Sequence, residues 1–340
     1  MITVENVSKS FPASASDAAS AAPVQALREV NLDVDAGALF GVVGASGSGK
    51  STLARCVALR ERPDRGAVRY DGLNTTTLDG RKLREAQSQV AVVDSRLRPE
   101  RTVAGNIAAP LERVGVDGAR RRQRVGTLLD VIGLTRAAAQ VPADLTPGQQ
   151  RRVAVARALA GGPAVLLADD PTAGIDVEET GAVLSVLDRA RSELGATVLL
   201  TTPDTSVVRR VCDDVALLDH GSVVESGNLL GLAGKRGSRI ADELLPAVET
   251  SPGEAARFDV VVDVVLVGFA SVGALLPEAA SRFDVEIGTI GGGLTRFGDT
   301  PVARFRIGVR GQRADAALAW IAERGAHVTH TLYGLRGVAA

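Results

Sequence analysis

Apolar and polar residues change rhythm several times along the chain, and each change predicts an element. Ile2-Thr3-Val4-Glu5-Asn6-Val7 alternates with period two, as does Leu27 to Val34, so both segments predict half-buried strands. Leu39-Phe40-Gly41-Val42-Val43 is a continuous apolar run ending before a glycine, the pattern of a strand covered on both faces. Helical spacing runs from Lys50 to about Leu59, over Thr102 to Val131, from Gln150 to Ala160 and from about Val177 to Leu194. Buried strands are predicted at Val165–Asp169, Thr197–Thr201 and Asp214–Leu218. Strands alternating with helices imply parallel βαβ units, hence an α/β sheet over roughly the first 230 residues.

Beyond Leu232 the rhythm shortens. Gly234-Lys235-Arg236-Gly237 and Thr250-Ser251-Pro252-Gly253 read as breaks. After them the pattern predicts strand Arg257–Leu266, helix Val272–Arg282, strand Val285–Ile290, then strand Val302–Val309, helix Ala314–Glu323 and strand His327–Tyr333. Gly291-Gly292-Gly293 reads as a permissive turn or as a place of close backbone approach to an amino-acid ligand. The order βαββαβ predicts a ferredoxin-like α+β domain. The expected organisation is therefore 1–232, with a helical subdomain at about 100–160, a linker over 233–256, and a smaller domain over 257–336. The small-residue stretch 13–23 is expected to be an exposed loop.

Composition narrows the class without deciding it. Apolar residues at 45% and charged ones at 23% fit a globular chain with a sizeable core and exclude disorder, a collagen-like repeat or a disulfide miniprotein. With 39 basic against 40 acidic residues there is no overall basic field, and no nucleic-acid partner is expected. The Arg120–Arg124 run reads as a solvated helix face. Cys56 and Cys212, far apart in sequence, read as buried reduced thiols. His327 and His330 stand three apart on a strand and so face opposite sides, which argues against a metal pair. Glu5 interrupts any leader-like apolar run, and no uncharged stretch reaches the ~18 residues of a membrane span. A cytosolic chain, or one held at a membrane by a partner, is expected.

The chemistry sits in one loop. Gly44-Ala45-Ser46-Gly47-Ser48-Gly49-Lys50-Ser51-Thr52 fits G-x-x-x-x-G-K-[ST] and lies between a predicted strand and a predicted helix. In that setting backbone N–H groups converge on a phosphate and glycines let the backbone approach it. Lys50 would reach the β- and γ-phosphates, and the Ser51 hydroxyl would ligate Mg²⁺. Such a site needs a carboxylate at the end of a second buried strand; Asp169 supplies it as the metal partner, with Asp170 facing the γ-phosphate.

From the first strand to about Gly227 these motifs, in this order, resemble the ATP-binding subunits of ABC transporters. The resemblance implies that Phe11 stacks on adenine. It implies that Thr146-Pro147-Gly148-Gln149 stands at the family signature, L-S-G-G-Q, and completes the site of a partner ATPase. It implies that Asp176 is the acid of the dimer-contact loop. Phe40 to Pro63 and the C-terminal βαββαβ domain are most similar to the ATP-binding subunits of bacterial methionine importers. That likeness implies membrane subunits as partners, dimerisation with itself or a paralogue, a place on the cytoplasmic face, and L-methionine binding around Val285, Ile287, Gly288, Thr289 and Ile290.

Several positions depart from that family. Asp170 stands where the family has Glu, so the base is retracted by ~1.5 Å. Thr202 replaces a His, Asp94-Ser95 stands where a Gln is expected, and Pro147 replaces a signature Gly, with loss of one N–H. Val285-Glu286-Ile287-Gly288 replaces an Asn-rich run. The expectation is a site that binds Mg·ATP and hydrolyses it slowly. A nearly non-hydrolysing regulatory subunit and an ABC-type ATPase outside transport remain the alternatives.

Overall fold

A computed structural model describes residues 1–12, 23–248, 252–268 and 273–330 of the chain. Most of the expected loop at 13–23 and the break at 250–251 lie outside the described residues. The chain divides into two units, Met1–Ser226 and the part from Gly227 onward.

The first unit begins with β1 (Ile2–Phe11), β2 (Val24–Val34), β3 (Leu39–Val43), α1 (Lys50–Val57), β4 (Arg65–Tyr70) and β5 (Leu73–Asn74). Then follow α2 (Gly80–Ser88), β6 (Val90–Val92), α3 (Val103–Arg113), α4 (Gly118–Val131) and α5 (Pro147–Leu159). It closes with β7 (Val165–Asp169), α6 (Val177–Ser192), β8 (Thr197–Thr202), α7 (Thr205–Val211), β9 (Asp214–Asp219) and β10 (Ser222–Asn228). An antiparallel sheet of order β2-β1-β4-β5 carries the alternating strands, and a second sheet of order β10-β9-β3-β8-β7-β6 carries the continuous apolar ones. Ile2, Val4, Leu32 and Val34 on the first sheet share a core with Leu53 and Val57 of α1 and with Val42 and Leu167 of the second.

The single helical stretch expected over Thr102–Val131 is two helices. Gly115, at φ 73°, turns the chain, and Asp117 caps α4 by accepting the amides of Ala119 and Arg120. Arg124 also departs from the expected solvated face. Its guanidinium donates to the Leu159 and Ala160 carbonyls, at 2.9 and 3.3 Å, and so closes the C-terminal end of α5.

The second unit holds α8 (Leu229–Ala233), α9 (Arg239–Leu244) and α10 (Pro252–Ala255), so the span expected as a linker is partly helical. Its sheet is built from β11 (Val260–Val267), β12 (Glu286–Phe297), β13 (Thr300–Arg310) and β14 (His327–His330), with α11 (Leu275–Phe283) after β11 and α12 (Ala314–Glu323) after β13. The order β12-β13-β11-β14 is the antiparallel ferredoxin-like arrangement that the βαββαβ pattern predicts. Val262, Val264, Ile307 and Val309 pack under Ala279, Leu318 and Ile321, and the Phe283 and Trp320 rings meet edge to face at 6.1 Å.

The glycine run is not the turn. Strands β12 and β13 continue past it to Gly298-Asp299, and a bulge between Thr289 and Gly291 takes up the irregularity. Gly292 is required there, since at φ 101° a Cβ would fall 2.0 Å from the Arg304 carbonyl oxygen.

Candidate functional site

Parallel pairing brings the chemistry to one edge. Val43 of β3 lies beside Thr202 of β8, and Thr201 lies beside Asp169 of β7. The loop after β3 and the ends of β7 and β8 therefore meet at the carboxyl edge of the sheet, where open α/β sheets bind ligands. A cleft of about 290 Å³ opens there between Ser46, Gly47, Gly49, Lys50, Ser51 and Thr52 on one side and Asp169 and Asp170 on the other.

The loop closes only with glycine at two points. A Cβ at Gly44 would fall 2.1 Å from the Leu218 carbonyl oxygen, and one at Gly49 would fall 2.4 Å from that of Ala26. Gly49, left-handed at φ 108°, starts α1 without a side-chain cap, so its first amides are free for an anion. The Lys50 ammonium is buried and donates to the Gly44 and Ala45 carbonyls at 2.7 and 2.8 Å. Burial pulls its pKa down, and Asp169 and Asp170 oppose that. The buried Ser48 hydroxyl, which lies against Gly44 and outside the cleft lining, has no hydrogen-bond partner among the described residues.

Opposite the loop, the Thr201 hydroxyl donates to Asp169. Asp170 takes a left-handed conformation, φ 47°, one that Asp tolerates better than most residues. Burial pushes its carboxyl pKa up, while a hydrogen bond from Thr202 at 3.4 Å pulls it back. Thr202 is fully buried and accepts the Asp204 amide at 3.0 Å, so its hydroxyl is fixed.

Residues 27–173 match the family described as ABC transporter, and residues 260–330 match the NIL domain. The chain is 42% identical over 303 residues to the methionine import ATP-binding protein MetN of Thermobifida fusca, covering 88% of this chain and 92% of that one. To MetN of Streptomyces avermitilis it is 38% identical over 315 residues, 90% of each. This chain belongs to the ATP-binding proteins of ABC transporters. A solved ATP-binding cassette of that kind, dimeric in a post-hydrolysis state with ADP and Pi, matches with a TM-score of 0.59 at 31% identity, over 67% of this chain and 98% of that one. Membership makes the chain an ATP-hydrolysing transporter subunit. None of its described helices is long and apolar enough to cross a membrane.

The remaining positions of the ABC pattern lie away from the cleft or at its rim. Phe11 pairs in register with Val24, which lines the cleft, and its ring is faced by the Lys9 ammonium at 5.4 Å and the Arg55 guanidinium at 5.9 Å. Asp94 grips Arg96, at 3.1 and 3.0 Å, and that pairing holds its carboxyl pKa down. Asp94 and Ser95 are outside the cleft lining. Thr146 caps α5 in a reciprocal box with Gln149, and Pro147 occupies the first helical position, where a missing N–H costs the helix nothing. Asp176 caps α6 by accepting the Glu179 amide at 2.7 Å.

Sequence reasoning missed three side chains. Arg157 donates to the Asp94 and Arg96 carbonyls and so pins the loop after β6. Asn106, fully buried, ties Arg98, Arg101 and Thr102 to α3. Glu179 reaches from α6 to the start of α5. Arg157 and Glu179 act on groups distant in sequence, and Asn106 on backbone groups four to eight positions before it; no motif marks such contacts.

In the second unit, Val285 and Ile287 belong to the packed helix-side core, and Gly288 lies under the Phe258 ring, where a Cβ would fall 2.6 Å from it. Thr289 pairs with Ile307, and Ile290 has no partner in the register.

Proposed function

We propose that the chain is the ATP-binding subunit of an importer for methionine or a related amino acid. It would act on the cytoplasmic face of the membrane as a dimer, with itself or a paralogous ATPase, against the transporter's membrane subunits. The observation that carries the reading is the presence in one chain of a glycine cradle level with Asp169 and Asp170 and of a separate NIL-type βαββαβ unit. Relatives named for methionine import match both parts together over most of their length.

Gly44 to Thr52 would hold the phosphates through the amides at the start of α1. Lys50 would exchange the Gly44 and Ala45 carbonyls for the β- and γ-phosphates. Ser51 and Asp169 would hold Mg²⁺, which when bound neutralises charge on the β- and γ-oxygens. Phe11 would give adenine a stacking face, and Asp170 would take the proton of the attacking water with Thr202 donating toward the γ-phosphate. Thr146, Pro147, Gly148 and Gln149 would meet the partner's ATP, Asp176 would line the contact between the two ATPases, and Asp94-Ser95 would form the joint to the membrane subunits.

Hydrolysis is expected to be slow. Asp170 is one methylene short, and misplacement on that scale costs on the order of 10²-fold when geometry is tight. The same departures favour a second reading, a subunit that binds Mg·ATP and hardly hydrolyses it. Single-turnover hydrolysis by the full chain separates them: a slow measurable rate supports the motor, and bound but uncleaved ATP supports the regulator. Amino-acid sensing would use Val285 and β12 as far as Ile290, chiefly the backbone at the bulge, because Ile287 and Gly288 are already covered. Titration of the full chain with millimolar L-methionine tests it; absence of heat would leave the second unit without a ligand.

A further inference from the structure

The donors at the start of α5 are already taken by a side chain of the same molecule. The Thr146 hydroxyl donates to one carboxylate oxygen of Glu179, and the Gly148 amide donates to the other at 2.9 Å. The Gln149 amide is bound by Thr146 Oγ1 at 3.2 Å, and Pro147 has no N–H. Glu179 thus sits where a helix N-terminus prefers an anion. The fit is close, since a Cβ at Gly148 would fall 2.7 Å from the Cβ and Cδ of Glu179. Asp176 fixes the base of this side chain by accepting the Glu179 amide, so α6 and α5 are joined at their first turns.

A second observation gives the carboxylate somewhere else to go. Arg152 stands one turn beyond Gly148 on the same face of α5. Its side chain is half-buried: Nη1 donates to the Ile132 carbonyl at 2.7 Å, and the buried Nε has no hydrogen-bond partner among the described residues. Burial pulls the Arg152 pKa down, and Glu179 is the charge that opposes it. A buried donor without an acceptor is costly, and a carboxylate moving along α5 would satisfy it.

We propose that Glu179 is a positioning residue of the composite ATP site, an internal carboxylate that holds Thr146 and Gly148 and must turn to Arg152 before the γ-phosphate bound by a partner can dock on them. This rests on the reading that the signature segment faces the partner's ATP. A carboxylate and a phosphate cannot share the same two donors, so dimer closure competes with an internal contact. Asp176 would couple that contact to the loop between the two ATPases.

The test uses the full chain with Asp170→Asn throughout, so that ATP persists. Light scattering at saturating Mg·ATP gives the chain concentration at half-dimerisation, and a fluorescent ATP analogue reports nucleotide binding by the single chain. Glu179→Gln, which keeps an acceptor at the cap but removes the charge, and Glu179→Ala should each lower the half-dimerisation concentration at least tenfold, with analogue binding unchanged. Arg152→Gln should raise it in the Glu179 background and leave it unmoved once Glu179 is replaced. If the parent dimerises with ATP but Glu179→Gln does so at the same or a higher concentration, Glu179 only caps a helix and the proposal falls, including where Glu179→Ala unfolds. If parent and variants all stay monomeric while binding the analogue, the facing-signature reading fails first and this one with it.

Discussion

The Thr202 hydroxyl donates to the Asp170 carboxylate 3.4 Å away, across the ends of two neighbouring strands. Two short side chains thus meet each other at the edge of the cleft, over a distance longer than a strong O–H···O bond. Extending either one extends its reach over the phosphates. Asp170→Glu is expected to raise single-turnover ATP hydrolysis by about tenfold or more, and Asp170→Asn to reduce it nearly to background. An unchanged or lower rate in the Glu variant would show that the length of Asp170 does not limit hydrolysis.

Lys50 carries the only buried ammonium lining the cleft among the described residues, and its two present acceptors are neutral carbonyls. Lys50→Ala is expected to weaken binding of a fluorescent ATP analogue by about 10²-fold, the scale of losing charge-assisted bonds to phosphate. Equilibrium fluorescence titration measures this directly. Parental affinity would dismiss the loop as a phosphate site.

The loop after β6 depends on a side chain more than 60 positions on: Arg157 holds the carbonyls of Asp94 and Arg96. Arg157→Met should lower unfolding free energy by about 2 kcal/mol, from two bonds to a charged donor. Urea denaturation reads the loss. Trypsin should also cut faster after Arg96, which is exposed on the freed loop and is followed by Leu97.

Phe258 covers the facing glycines Gly288 and Gly308, with ring carbons 2.6 and 2.2 Å from where their Cβ atoms would be. An aromatic ring laid on paired glycines restores the apolar contact that they lack. Phe258→Ala should therefore destabilise the second unit by about 1–2 kcal/mol and speed amide exchange in β12 and β13 first. Exchange that accelerates only in the first unit would contradict the packing.

The elements most legible in the sequence were those whose cause is local. Gly44 to Thr52 announces itself because a phosphate cradle needs its glycines and Lys50 in consecutive places, and strands such as Val165–Asp169 are continuous apolar runs closed by turns. The long hairpin was not legible: three glycines normally signal a turn, but the pairing of Arg296 with Pro301 and of Phe297 with Thr300 carries both strands past them. Arg124 looked solvent-bound because its neighbours are Arg, and only the fold places the end of α5 within its reach. Glu179 stood beside Glu178 with nothing local to separate them. Only the packing of α6 beside the start of α5 brings Glu179, and not Glu178, to Thr146.

Both thiols are locked away. Cys212 lies against Gly41, where a Cβ would fall 2.9 Å from its sulfur, and burial holds its pKa far up; burial also pushes that of Cys56 up to about 12. The thiolate is the reactive form, so at neutral pH neither sulfur attacks a maleimide or an aromatic disulfide while the fold is intact. The natural chain therefore offers a silent background for site-directed labelling. Val177→Cys, at a position 83% exposed next to Asp176, would take a fluorophore alone, and any approach of two labelled copies on adding ATP could be followed without removing either native cysteine.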